Sequence, residues 1–233
     1  MARTALRFLV PGLFALLTLG TDPALACRDA VVLVHGNTGS PSDWNNTVDR
    51  LLQQGWSPAE IFRPTWGSSC AACNNHSGSE ETPVRIALAD ALDASCTGRI
   101  DVIGHSMGAT LAAGQIAEFG LAGSVDAFVG IAGAFRGLWS CGRYPWNVWT
   151  STCGYWGLSV NSPFLNWLDG KPLGARVYSI KSWSDQVVCA TGVCTVGGVH
   201  SSRIAGEDAS YSFGYGHFGL QSSTSSFQVD LID

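Results

Sequence analysis

Residues 100–119 read IDVIGHSMGATLAAGQIAEF. Ile100 to Gly104 reads as a strand, and Met107 to Phe119 as a helix that Gly120 stops. Between them Gly104-His105-Ser106-Met107-Gly108 spells G-x-S-x-G. In a chain with 28 glycines such a pentad can arise by chance, and a glycine-rich loop carrying an ordinary serine is the bland alternative. Position argues against it. A strand-to-helix corner turns so sharply that small residues are needed on both sides of the serine, and the turn holds the hydroxyl up at the C-terminal edge of a sheet. The N–H of Met107, at the helix start, then points where charge would develop on an attacked carbonyl oxygen.

Outward from this corner the same rhythm repeats. Ala30 to His35, AVVLVH, is a continuous apolar run bounded by Gly36, as expected of a strand buried on both faces. Pro41 to Gln54 carries Trp44, Val48, Leu51 and Leu52 at helical spacing, with Gly55 as its stop. Ile61 to Trp66 is a second short strand. Thr82 is expected to cap, and Pro83 to open, a helix burying Val84, Ile86, Leu88, Ala91 and Leu92 and ending before Cys96. Asp126 to Ala132 is the fourth strand. Strands alternating with helices imply an α/β fold, a parallel sheet with helices on both faces.

After Gly133 the rhythm breaks. Phe135 to Trp167 is irregular and aromatic, with Trp139, Tyr144, Trp146, Trp149, Tyr155, Trp156 and Trp167. Ser162 and Pro163 open a short helix that Gly170 closes, and Ala175 to Ile180 resumes the sheet. Gly197 to Ile204 is expected as a sixth strand and Ser222 to Ile232 as a closing helix. No repeat, charge block or flexible linker interrupts residues 27–233, so a single domain with an insertion at about 135–167 is the economical organisation.

The chain has 233 residues, 46% apolar and only 13% charged, with a net charge of −5. Ordinary soluble domains carry roughly 25% charged residues. The balance excludes a disordered chain and a nucleic-acid binder that works through a basic field. Part of the apolar excess lies in residues 1–26. Arg3 and Arg7, an apolar run from Phe8 to Leu19, and Ala24-Leu25-Ala26 follow the order of a secretory signal peptide, with an apolar run too short for a stable membrane anchor. A lipoprotein signal would also put Cys27 after the cut, but Ala24 stands where leucine is usual. Losing Arg3, Arg7 and Asp22 takes the net charge to −6. Export implies the extracellular space or the periplasm.

All eight cysteines fall after that leader, and an even number in an exported chain reads as four disulfides. Connectivity is not determined by sequence. Short separations favour Cys70–Cys73, Cys141–Cys153 and Cys189–Cys194, which leaves Cys27 with Cys96. Zinc at Cys70 and Cys73 is the competing reading, but no second ligand pair follows at finger spacing. The expectation is no metal and no cofactor.

A serine hydroxyl is a weak nucleophile and needs a base, which in turn needs an acid to orient it. For a corner serine of this kind the expected chain order is Ser, then Asp or Glu, then His. Asp185 in KSWSDQ lies just past the fifth strand, and His217 in GYGHFG lies 32 residues later. His200 is the rival base, without flanking glycines; Glu207 and Asp208 are the rival acids, beyond any strand end. His76 reads as surface, and His105, adjacent to Ser106, points elsewhere. His35-Gly36-Asn37-Thr38-Gly39 ends the first strand in a tight turn that can aim the N–H of Asn37 at the same centre as Met107, with His35 bracing the loop. Alone it would be only a strand-to-helix turn with two glycines.

Four segments together resemble the small secreted bacterial lipases of the α/β-hydrolase fold, the class 2 lipase group that includes a minimal Bacillus lipase. They are VVLVHGN from Val31, DVIGHSMG from Asp101, SWSDQVV from Ser182 and GYGHFGL from Gly214. The resemblance implies a minimal, mostly parallel six-stranded sheet and hydrolysis of carboxylic esters without an obligatory cofactor. It implies Ser106 as nucleophile, His217 as base, Asp185 as orienting acid, and Asn37 and Met107 as backbone oxyanion donors. In that fold the strands holding Val31 and Ile100 are neighbours, and Cys27 and Cys96 each precede them by four residues, which supports a bridge between them. The chain departs from the group in its eight cysteines and in its aromatic insertion.

The expected partner is a lipid or other water-insoluble ester, met by a monomer. Trp146, Trp149 and Trp156 are candidate substrate-binding residues on a rim or lid, since exposed apolar patches mark interaction sites. Equally, these tryptophans could complete the core beneath a stapled loop. An extracellular polyester (polyhydroxyalkanoate) depolymerase would use the same three residues. A non-catalytic surface-binding module would explain the tryptophans but not the ordered Ser106, Asp185 and His217.

Overall fold

The computed structural model describes Met1, residues 27–146 and residues 149–233; the signal-peptide assignment lies outside the described residues. In chain order the elements are β1 (Ala30–Val34), α1 (Asn45–Gln53), β2 (Ile61–Phe62), α2 (Glu81–Ala94), β3 (Ile100–His105), α3 (Met107–Glu118), β4 (Val125–Ile131), β5 (Leu138–Arg143), β6 (Ser159–Val160), α4 (Pro163–Leu168), β7 (Arg176–Lys181), β8 (Thr195–Val196), β9 (Val199–His200), β10 (Ala209–Ser212), α5 (His217–Ser223) and α6 (Ser225–Asp230). Six strands form one parallel sheet in the order β10-β7-β4-β3-β1-β2. The expected α/β-hydrolase architecture is therefore present, with β3 near the middle.

Alternation along the strands divides the core in two. Val32 and Val34 pack on one face with Leu88 and Ala91 of α2, Leu111 and Ile116 of α3, and Phe164 of α4. Val31 and Leu33 pack on the other with Leu51 of α1, Leu220 of α5 and Val229 of α6. Every residue of β1 and β3 is buried, Asp101 and His105 included, as expected of strands covered on both faces.

Several boundaries differ from the sequence reading. β2 stops at Phe62, two residues short of Pro64, which has no N–H to give a ladder. α2 begins at Glu81 with Glu80 at the N-cap; Thr82 lies inside its first turn, where Pro83 is also tolerated because N–H groups there have no helical partner. Ile86 is half exposed, and Ala87 takes the inward position. Gly197 to Ile204 does not join the sheet. Gly197 and Gly198 both have positive φ and close a small antiparallel hairpin of β8 and β9. The sixth strand is instead Ala209–Ser212, a polar edge strand paired only with β7, whose lack of an apolar run hid it. The closing helix is two helices, α5 and α6, that meet at Thr224, whose hydroxyl bonds the carbonyl of Leu220.

The four bonded cysteine pairs are Cys27–Cys96, Cys70–Cys73, Cys141–Cys153 and Cys189–Cys194. Cys27 and Cys96 join the entries to the neighbouring strands β1 and β3. Within Phe135–Trp167, β5 and β6 pair in parallel, and Phe135, Leu138, Leu158, Val160 and Phe164 are buried. One side of the segment is thus part of the core. Among the described residues no helix is long and apolar enough to cross a membrane.

Candidate active site

Ser106 sits at the corner between β3 and α3 with φ 54° and ψ −129°, a conformation that costs a non-glycine residue about 1–3 kcal/mol. Two close approaches explain its neighbours. A Cβ on Gly104 would lie 2.4 Å from Ala109 Cα, and one on Gly108 would lie 2.0 Å from the His35 carbonyl oxygen. The Ser106 N–H donates to Ile131 O at 2.8 Å, which ties the corner to β4.

Asp185 follows β7 and His217 opens α5, both at the C-terminal edge of the sheet. His217 Nε2 lies 2.8 Å from Ser106 Oγ, and His217 Nδ1 lies 2.8 and 3.0 Å from the two carboxylate oxygens of Asp185. Asp185 Oδ1 also accepts the N–H groups of Val187 and Val188, each at 2.8 Å. Burial opposes the Asp185 charge, but the hydrogen bond and charge of His217 and these two N–H groups outweigh it and hold the carboxyl below its ordinary range. The backbone N–H of His217 donates to Gln186 Oε1 at 2.9 Å; a Cβ on Gly216 would strike that same oxygen at 2.6 Å.

His105 lies beneath His217, ring centres 4.7 Å apart, with its Nε2 3.0 Å from the His217 carbonyl oxygen. Burial, and then the neighbouring His217, push its pKa down to about 3, so it stays neutral and donates from Nε2. His35 stacks on Trp66 at 5.4 Å and binds Gly36 O through Nδ1, and Trp66 Nε1 donates to His35 O. Gly39 N–H closes the turn onto Gly36 O at 3.0 Å, with Thr38 at φ 60°. Asn37, inside that turn, and Met107, first in α3, therefore hold N–H groups outside the ladder and helix bonding. The Asn37 side chain donates to Ala71 O and accepts from Asn74 Nδ2, which anchors the turn to the Cys70–Cys73 loop.

The remaining histidines are occupied elsewhere. His200 bonds Ser182 O and meets the edge of Trp183. His76 is not on the surface as its polar neighbours implied; it is fully buried between Thr110 Oγ1 and Trp156 O and stacks on Phe164, and burial lowers its pKa to about 4. Of the rival acids, Glu207 pairs with Arg203, and Asp208 accepts the Val177 N–H.

Ser106 and His217 open into a cavity of about 180 Å³ whose walls include Val187, Phe218 and Gln221. Sequence reasoning did not single out these three, although Phe218 directly follows His217 and Val187 lies two residues after Asp185. The structure does not bring the three candidate tryptophans here. Trp146 and Trp149 are 71% and 86% exposed, and Trp156 lines a different cavity. The insertion buries aliphatic side chains inward, which leaves these indoles outward.

Two groups of three metal-type ligands lie close together among the described residues, Cys189, Cys194 and His200, and Asp29, Asp101 and Asp126. The first pair of sulfurs is tied in a disulfide, and Asp126 is paired with Arg99 and Arg176.

This sheet with its corner serine defines an α/β-hydrolase. More narrowly, the chain belongs to the class 2 lipase family, whose model, described as Lipase (class 2), matches residues 28–230; it is a carboxylic ester hydrolase. Among solved structures it is similar to Bacillus licheniformis lipase BlEst2 in mature form, with TM-score 0.58 and 13% identity over 88% of this chain and 91% of that one. The propeptide form of that lipase matches with TM-score 0.60 and 13% identity over 88% of this chain, which spans about half (49%) of its length. A hyperthermophilic esterase from Pyrobaculum calidifontis matches with TM-score 0.56 and 17% identity over 88% of this chain and 76% of that chain. At these identities the likenesses speak for the fold. A search among curated proteins finds no match.

Proposed function

We propose that the chain is a secreted lipase or carboxylesterase that works through Ser106, His217 and Asp185 and an acyl-enzyme. The observation that carries this is the unbroken relay from Ser106 Oγ through His217 to the buried carboxylate of Asp185. Ser106 attacks the ester carbonyl while His217 Nε2 takes its proton and then gives it to the leaving alcohol. Asp185 holds the tautomer with the proton on Nδ1 and stabilises the imidazolium. The N–H groups of Met107 and Asn37 receive the oxyanion, each contributing about 3–4 kcal/mol to the transition state. Water, activated by His217, then releases the acid.

The cavity of about 180 Å³ is below the roughly 300–1,000 Å³ of sites that enclose a drug-sized ligand. It takes a short acyl group inside, and a longer chain lies along Phe218, which is 66% exposed. The same openness favours a polyester depolymerase as the second reading, since a polymer strand can cross a shallow site. The enzyme acts as a monomer on its insoluble ester. Export rests on the leader pattern and the four disulfides.

A fluorophosphonate should label the Ser106 peptide alone, and Ser106→Ala should lower kcat on p-nitrophenyl butyrate by at least about 10⁴-fold; a variant with near-normal turnover overturns the assignment. A chain-length series of esters above and below their solubility limits, beside clearing of polyhydroxyalkanoate granules, separates lipase, esterase and depolymerase.

A further inference from the structure

The chemistry at Ser106 leaves a second and larger cavity unused. It holds about 460 Å³ between the outer side of α3 and the end of the aromatic segment, with Tyr155, Trp156, Phe164 and Trp167 as walls and Glu81 and Glu118 beside them. Gly114 and Glu118 lie eight and twelve positions beyond Ser106 on α3, about 12 and 18 Å away at a helical rise of about 1.5 Å per residue. The cavity is therefore separate from the reaction centre.

Its rings form a continuous series. Tyr155 and Trp156 have centroids 5.0 Å apart at 60°, Trp156 and Phe164 6.5 Å at 53°, and Phe164 and Trp167 6.1 Å at 35°. These are ordinary separations for tilted aromatic pairs, and Tyr155, Trp156 and Trp167 stay 50%, 46% and 40% exposed, so the series leaves ring surface open at the cavity. The floor is fixed from below, because His76 stacks on Phe164 at 4.2 Å and is held by Thr110 and by the Trp156 carbonyl. Gly114 leaves the room for Phe164; a Cβ there would approach its ring at 3.1 Å.

The polar part of the lining is acidic. Glu81 accepts the Gly78 N–H, and Glu118 accepts the Gln115 side-chain amide. Of the nearby cations, Arg85 lies over Phe119 and offsets part of the Glu81 charge, and Lys171 lies 5.5 Å from the Trp167 ring. Burial, and after it the charge of Glu118, hold the Glu81 carboxyl above its ordinary range, against the opposing pull of the Gly78 N–H and Arg85. A neutral sugar would stack on the rings but leave that repulsion in place, and an alkyl chain would desolvate both carboxylates.

We propose that this cavity binds an organic cation of the trimethylammonium type, with the rings of Tyr155, Trp156 and Trp167 around its methyl groups and Glu81 and Glu118 as counter-charges. Such a group has no N–H and needs no hydrogen-bond partner, only aromatic faces and negative charge.

The test titrates the full chain with tetramethylammonium chloride against sodium chloride at matched ionic strength, by calorimetry and tryptophan fluorescence. Saturable binding is expected, weakened at least about tenfold by Trp167→Leu and at least about threefold by Glu118→Gln, with turnover of soluble p-nitrophenyl butyrate within about twofold in both. Glu118→Gln is a conservative change on an exposed helix end, so it keeps the test open if Trp167→Leu folds poorly. Phosphatidylcholine and phosphatidylglycerol vesicles then identify the source. Retention on phosphatidylcholine alone, lost in Glu118→Gln, assigns a lipid headgroup; binding of tetramethylammonium without vesicle retention assigns a free cation. No saturation beyond the sodium control, binding indifferent to both substitutions, or cellobiose binding in place of tetramethylammonium overturns the proposal.

Discussion

At one end of the sheet Asp185 is buried and ionised; at the other Asp101, equally buried, has its pKa raised to about 8. The difference lies in what each carboxylate faces. Asp185 has an imidazole and two N–H groups. Asp101, near the start of β3, accepts one N–H from Ala127, and the charge that acts on it most is that of Asp29. Burial penalises both charges and Asp101 the more, and only Asp185 has the donors and the imidazole that outweigh it. The end with donors holds a carboxylate that can steady an imidazolium; the other end is held together by the Cys27–Cys96 bond and the Arg99–Asp126–Arg176 cluster.

The sharpest way to break this division is to remove one charge at each end. Asp185→Asn keeps the shape but lets His217 adopt the wrong tautomer, so kcat should fall about 10⁴-fold with KM changed only a few-fold. Asp101→Asn should leave kcat within twofold. Steady-state kinetics on a soluble ester measures both, and an Asp185→Asn enzyme with a tenth or more of normal kcat would place the working charge elsewhere.

The disulfides sharpen the comparison through stability. Cys27 and Cys96 are 69 residues apart and Cys141 and Cys153 only 12. Unfolded-state entropy then predicts losses of about 4 kcal/mol for the paired serine substitutions at the first site and about 3 kcal/mol at the second. Urea unfolding should rank them in that order, while kcat/KM of the folded fraction stays within about threefold for either. The opposite ranking would show that the aromatic segment, and not the entry to the sheet, bears more of the stability.

How far the sequence was legible follows the same division. The corner serine, its two glycines and the order Ser106, Asp185, His217 could be read because each is forced by local geometry or by chemistry that few residue types perform. β1 could be read because it is apolar throughout, and β3 because Val102, Ile103 and Gly104 lead straight into the serine corner. The edge strand Ala209–Ser212 could not, because a half-solvated strand of Ala, Ser and Tyr carries no apolar run, while the Gly197–Gly198 hairpin beside it imitates one. His76 was misplaced because its burial comes from Phe164, Thr110 and Trp156, each at least 34 residues away. The tryptophans could be read only as a group, for a related reason. Their abundance marked the segment, but which face each ring takes depends on the inward set of Leu138, Leu158 and Val160.

The smallest effect separates the two ends by pH alone. The Asp101 carboxyl has a pKa of about 8 when folded against 3.8 as its ordinary value, raised by burial and then by Asp29. Below about pH 4 it is protonated in both states and costs nothing. Between about 4 and 8 the folded chain keeps a proton that the unfolded chain has released, so stability falls as pH rises, and above about 8 the loss is complete. Asp101→Asn removes this dependence, and its amide oxygen can still accept the Ala127 N–H. The substitution should change stability little at pH 4 and raise it at pH 9, because the amide carries no charge to bury. Thermal unfolding of both forms across that range measures the difference. A gain that is the same at pH 4 and pH 9 would mean that Asp101 binds its proton alike in the folded and unfolded chain, and that burial does not raise its carboxyl.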